Sequence, residues 1–154
     1  MDVNKILMEY DGMYGNCSLV EIEEFLEDNI DKAQELGDLS TQFTLLNEII
    51  GFCRDTTKKD KGIKYCKELE RLMGEMGIEG QVEYATALLN IANGYRAFGL
   101  SQESMSCYEK TQEIYKENLK DMDFDKNQPL QWYENNSPSK QKLLKARMDL
   151  LQKF

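Results

Sequence analysis

Carboxylates, carboxamides and guanidiniums carry most of the chemical potential of this chain, because histidine is absent from its 154 residues. That absence removes the commonest general base and the commonest metal ligand. The four cysteines, Cys17, Cys53, Cys66 and Cys107, form no CxxC pair. They read as reduced, buried thiols acting as small hydrophobes, not as zinc ligands. Asp121-Met122-Asp123-Phe124-Asp125 has the opening of a calcium loop, but Lys126 stands where the glycine of the sharp turn is needed, and Trp132 where the bidentate glutamate is needed. The carboxylates Glu21, Glu23, Glu24, Glu27, Asp28 and Asp31 spread around a helix, which suits a solvated acidic face better than an acid/base pair. There is no glycine-rich phosphate loop and no nucleophile beside a base. The expectation is a non-enzymatic protein with no catalytic residue, cofactor or metal.

Asparagine and arginine remain. Leu45-Leu46-Asn47 returns as Leu88-Leu89-Asn90, 43 residues later. Downstream, Ile63, Cys66, Leu69 and Leu72 return as Met105, Tyr108, Thr111 and Ile114 at an interval of 42, which places a one-residue difference in the intervening turn. A recurrence of this length marks stacked supersecondary units. Asn47 and Asn90 each offer a donor and an acceptor on one amide, which serves ligand capture or helix packing equally well. Arg54 and Arg96 can take a carboxylate through forked hydrogen bonds.

The elements that must position these residues are helical throughout. Val3, Ile6, Leu7, Tyr10 and Tyr14 recur at helical spacing and predict a helix over about 2–14. Ser18 with Glu21 forms a capping box for a second helix, whose inward stripe is Leu19, Ile22, Phe25, Leu26, Ile30 and Ala33. Further helices follow over about 39–54, 60–74 and 81–98, the last ending at Gly99, a natural left-handed cap. Ser101 opens a sixth. Residues 121–136 read as loop, and Ser137-Pro138 starts a short capping helix over 137–154. No alternating stretch occurs, so the fold class is all-α.

The stretch Ala85 to Lys116 resembles a tetratricopeptide repeat, of a long variety with about 42 residues per unit. Leu88, Ala92 and Tyr95 stand where that family places a large, a small and an aromatic residue in its first helix. Gly99 matches its turn, and Ser104, Tyr108 and Thr111 its second helix, with hydroxyl residues replacing alanines and Lys116 replacing the closing proline. Leu45 to about Gly74 resembles a second copy. The resemblance implies a short right-handed α-solenoid over 1–120, with hairpins at about 2–37, 39–76 and 80–119. It also implies a concave groove that binds a peptide or partner helix. Carried over by position, the groove would expose Phe43, Leu46, Ile50, Cys53 and Arg54 in one copy, with Asn47 beside it. In the other it would expose Thr86, Leu89, Asn93, Arg96 and Ala97, with Asn90 beside it. Chaperone-clamping arrays use a lysine where Leu46 and Leu89 stand, so that activity is not implied.

Charge narrows the partners. The net charge is −9, and residues 1–38 hold eleven acids against Lys5 and Lys32. Residues 139–154 hold five bases against Asp149, so the tail is basic. Such a chain suits neither a nucleic-acid backbone nor, without a long apolar run, a membrane. MDVNKILMEY lacks the basic flank and apolar run of a signal peptide, so a cytoplasmic location is expected. The reading is an adaptor for a protein or peptide partner, with homo-oligomerisation through an exposed terminal repeat also open. The alternative is a regulatory or substrate-recruiting domain that serves a separate catalytic protein.

Overall fold

The computed structural model describes residues 1–119, which form six helices and no strand. These are α1 (Val3–Met13), α2 (Leu19–Glu35), α3 (Leu39–Asp55), α4 (Lys59–Met76), α5 (Val82–Ala97) and α6 (Ser101–Leu119). The expected loop 121–136 and capping helix 137–154 lie outside the described residues, as does the Asp121–Asp125 run. No helix among the described residues is long and apolar enough to cross a membrane.

Local hydrogen bonding sets the helix boundaries. The side chains of Asp2, Ser18 and Asp38 accept from the backbone N–H three residues on, and Ser18 with Glu21 completes the capping box. Three helix ends share one turn. After α2, α3 and α5, the residue past the C-cap is left-handed and two backbone bonds close the turn. In α5, for instance, Gly99 N–H donates to the Arg96 carbonyl and Leu100 N–H to that of Tyr95. In α3 the left-handed place belongs to Thr57 at φ 57°, where a β-branched side chain is strained.

The turns at Thr57 and Gly99 lie 42 residues apart, and so do the starts of α4 and α6. Burial repeats at the same interval. Leu45, Leu46, Ile49, Ile50, Phe52 and Cys53 return as Ala87, Leu88, Ile91, Ala92, Gly94 and Tyr95, all buried. In the second helices Gly62, Tyr65, Cys66, Leu69 and Met73 return as Ser104, Cys107, Tyr108, Thr111 and Tyr115. The structural period is therefore 42, and Leu-Leu-Asn, recurring at 43, is one residue out of step with it. Helices α3 and α5 start 43 residues apart but end 42 apart, and the turns after them are equally long. The one-residue difference expected in the turn sits instead within the first helices.

Helix α3 packs against α2, α4 and α5, α4 also packs on α5, α5 packs on α6, and α1 touches α2. One apolar cluster runs through all six helices, from Ile6 and Tyr10 to Tyr115. Small residues permit the close approaches. The Phe98 ring at the end of α5 lies over Gly62 of α4, where a Cβ would stand 2.1 Å from its Cζ. A Cβ on Gly94 would meet Cys66 Sγ at 3.1 Å and Ile50 Cγ2 at 3.2 Å. Ser104 Oγ donates to the Ala92 carbonyl at 2.8 Å and ties α6 to α5. Cys53, Cys66 and Cys107 are buried free thiols, and burial pushes them up to about 11, 12 and 12, away from the reactive thiolate.

A charged bridge links α2 to α4. Glu23 is only 4% exposed, and Lys58 Nζ donates to its Oε2 at 2.9 Å while Lys61 Nζ lies 3.3 Å from Oε1. Burial pushes the Glu23 carboxyl up, but the two ammonium groups outweigh it and hold the carboxyl below its ordinary value. Lys61 also reaches Glu27, whose Oε2 accepts from the Tyr65 hydroxyl at 2.5 Å. Leu19, expected in the inward stripe of α2, is exposed in its first turn, and Tyr14, the C-cap of α1, is exposed too.

Candidate functional site

The two asparagines of the Leu-Leu-Asn recurrence meet. Asn90 Nδ2 donates to Asn47 Oδ1 at 3.0 Å and to the Asn47 carbonyl at 3.1 Å, while Asn47 Nδ2 donates to the Phe43 carbonyl at 2.9 Å. These amides hold α3 and α5 together, so packing is the role the geometry gives them. Asn93 Oδ1 accepts from the Tyr108 hydroxyl of α6. Thr86 Oγ1 donates to the Val82 carbonyl and lies 3.3 Å from the Tyr115 hydroxyl.

Leu46 and Ile50, expected in the groove, are 4% and 0% exposed and belong to the core, as does Cys53. The cause is the slip in register: the 43-residue spacing set them opposite Leu89, Asn93 and Arg96, whereas the 42-residue period sets them opposite the buried Leu88, Ala92 and Tyr95. Phe43, Leu89, Asn90 and Asn93 are half-buried, and Thr86, Arg96 and Ala97 are exposed. In the structural register, Thr44, Asn47, Glu48, Gly51, Arg54 and Asp55 match Thr86, Leu89, Asn90, Asn93, Arg96 and Ala97. At 100° per residue each set falls on one face of its helix, opposite the buried face. The asparagine contact joins the two strips side by side.

The charges of this face are Glu48, Arg54 and Asp55 on α3 and Arg96 on α5. Arg54 and Arg96 sit in the last turns of α3 and α5, each one residue before the helix end. Neither guanidinium makes an ion pair or hydrogen bond with another described residue. Cations there complement the carbonyl ends of their helices, and their fork of N–H groups stays available to an anion. About 9 Å back along α3, six residues at 1.5 Å each, stands Glu48. It is half-buried and has no hydrogen-bond or ion-pair partner among the described residues. Burial, and then the negative charge of Asp11, push its carboxyl above the ordinary carboxylate value. Between them Gly51 leaves bare backbone, with nothing within 4 Å of where a Cβ would stand.

Thr44, Glu48, Gly51 and Asp55 are the members of this face that sequence reasoning missed. The signal was the helix ends: counting back from the turn after each first helix aligns Arg54 with Arg96 and brings these four into place. Among the described residues no cluster of three or more acidic or cysteine side chains is arranged to hold a metal. No family model matches the chain, and neither any curated protein nor any solved structure is similar to it.

Proposed function

We propose that the chain is a non-enzymatic scaffold of tetratricopeptide-like hairpins, acting in the cytoplasm, that docks a peptide or helix of another protein along the strips of α3 and α5. The observation that carries this reading is the pairing of Arg54 with Arg96. They are equivalent in the 42-residue period, stand on adjacent helices, and have no anionic partner among the described residues. The 42-residue period and the packing of each first helix on its neighbour support a stacked-hairpin solenoid. An acidic side chain or terminal carboxylate of the ligand would bind the arginines, and a cation would lie toward Glu48. Asn47 and Asn90 hold the two strips in register, and Leu89 and Phe43 add apolar contact.

Affinity capture from the protein's own cells tests this, comparing the wild type with Arg54→Ser/Arg96→Ser. Arg96 is exposed and Arg54 half-buried, and equal melting temperatures of the two chains verify that the fold is intact. A co-purifying protein present with the wild type and absent with the double variant supports the reading. The same partners with both chains sink it.

A further inference from the structure

The first hairpin presents a face that the rest of the described chain leaves uncovered. Of the eight exposed large apolar residues among the described residues, seven lie within residues 1–39 and Met105 lies elsewhere. Val20 is 58% exposed at the start of α2 and Leu36 68% exposed just past its end. Between them Glu24, Asp28, Asp31 and Glu35 follow Val20 at intervals of three and four along the side of α2 opposite its core face. None of these four acids forms a hydrogen bond or ion pair with another described residue. This is an acidic stripe with apolar ends, on a segment of net charge −9.

Its complement is in the same chain. Residues 139–154, SKQKLLKARMDLLQKF, combine Lys140, Lys142, Lys145 and Arg147 with Leu144, Met148 and Leu151 at helical spacing. As a helix that segment is about 22 Å long, and the stripe from Val20 to Glu35 is also about 22 Å long, at 1.5 Å per residue. The residues between 119 and 139 reach about 65 Å when extended. Even the five helix spacings that separate α6 from α1, at about 8–10 Å each, are within that reach. We infer that residues 139–154 dock on the outer face of α2 in their own chain, with Lys140 and Arg147, on the same side of such a helix as Leu144, Met148 and Leu151, toward Glu24, Asp28, Asp31 and Glu35. The acidic first hairpin is thereby covered by the chain's own tail, on a surface separate from the α3–α5 strips.

Zero-length carbodiimide cross-linking of the full chain tests this, with the monomer fraction isolated before peptide mapping. The expected products join Lys140, ahead of Lys145 and Lys142, to Glu24, Asp28, Asp31 or Glu35. Reversing the tail (Lys140→Glu/Lys142→Glu/Lys145→Glu/Arg147→Glu) removes the lysines that react. A wild-type control in about 1 M salt, where the screening length is about 3 Å, should therefore lower the yield about tenfold. Combining the reversed tail with Glu24→Lys/Asp28→Lys/Asp31→Lys/Glu35→Lys should restore cross-links between the same two segments. Tail lysines joined to acids throughout the chain, no tail cross-links, or no recovery in the combined variant would overturn the inference. Cross-links confined to a dimer fraction would overturn it too, because a second copy's tail would then cover the face.

Discussion

Gly62→Ala and Gly51→Ala make the same chemical change in the interiors of two helices, yet should move stability in opposite directions. Each replacement relieves the cost of glycine in a helix, about 1 kcal/mol. At Gly51 nothing lies within 4 Å of the added carbon, so the gain is retained and the protein should be stabilised by about 0.5–1 kcal/mol. At Gly62 the new Cβ would lie 2.1, 2.4 and 2.8 Å from three atoms of the Phe98 ring. The ring is buried and closes α5 onto α4, so it cannot yield by a small rotation. Expelling it forfeits about 1.5–3 kcal/mol of apolar burial, and forcing it to stay costs a similar amount in overpacking. After the helix gain is subtracted, Gly62→Ala should be destabilised by about 0.5–2 kcal/mol. For a chain of this size that is a fall of about 1–8 °C in melting temperature, against a rise of about 1–4 °C for Gly51→Ala. Thermal and urea unfolding of both variants beside the wild type reads the difference. If Gly62→Ala melts at or above Gly51→Ala, Phe98 does not seat on α4 as described.

Three other perturbations follow from the same packing. Thr57→Gly should stabilise the fold by about 0.5–1 kcal/mol in urea unfolding, since the left-handed turn costs an L-residue about 1–2 kcal/mol and glycine's greater unfolded freedom returns part of that; a destabilised variant would contradict the left-handed geometry. A double-mutant cycle on Asn47→Ala and Asn90→Ala should show about 0.5–1.5 kcal/mol of coupling, whereas additive effects would mean the amides do not meet. Glu23→Gln should cost about 1–2 kcal/mol at pH 7, a figure kept low because Lys58 and Lys61 are partly exposed. The folded-state pKa of Glu23 is lowered, so its contribution is complete above the unfolded value of about 4.3 and fades as pH falls through the folded value. The gap between wild type and Glu23→Gln should therefore close in acid; a gap that widens below about pH 4 would contradict the bridge.

The all-helical character, the Ser18–Glu21 capping box and the left-handed Gly99 turn were legible because each rests on short-range chemistry. The repeat register was not, and the reason is specific. Leu-Leu-Asn is a conspicuous run that recurs at 43, the spacing of the starts of α3 and α5, whereas burial from Leu45 onward already follows the 42-residue spacing of their ends. The turn that would have revealed 42 has threonine in one copy and glycine in the other, so the shared backbone conformation has no shared letter. One residue rotates a helix by 100°, enough to move Leu46 and Ile50 from a solvent face into the core. Glu48, which that slip concealed, is a half-buried acid whose environment only tertiary packing near Asp11 creates. The contact between Asn47 and Asn90 likewise depends on α3 lying against α5, which neither asparagine announces by itself.

The most direct test of the account is a peptide-display selection on the full chain, with bound sequences then titrated against wild type, Arg54→Ser/Arg96→Ser and Glu48→Gln. The enriched peptides should bear a carboxylate a few residues from a cation. Their affinity should fall at least about tenfold, or about 1.4 kcal/mol, in the arginine double variant, with a smaller loss in Glu48→Gln. Selected peptides without that charge pattern, or ones that bind the double variant as tightly as the wild type, would contradict it.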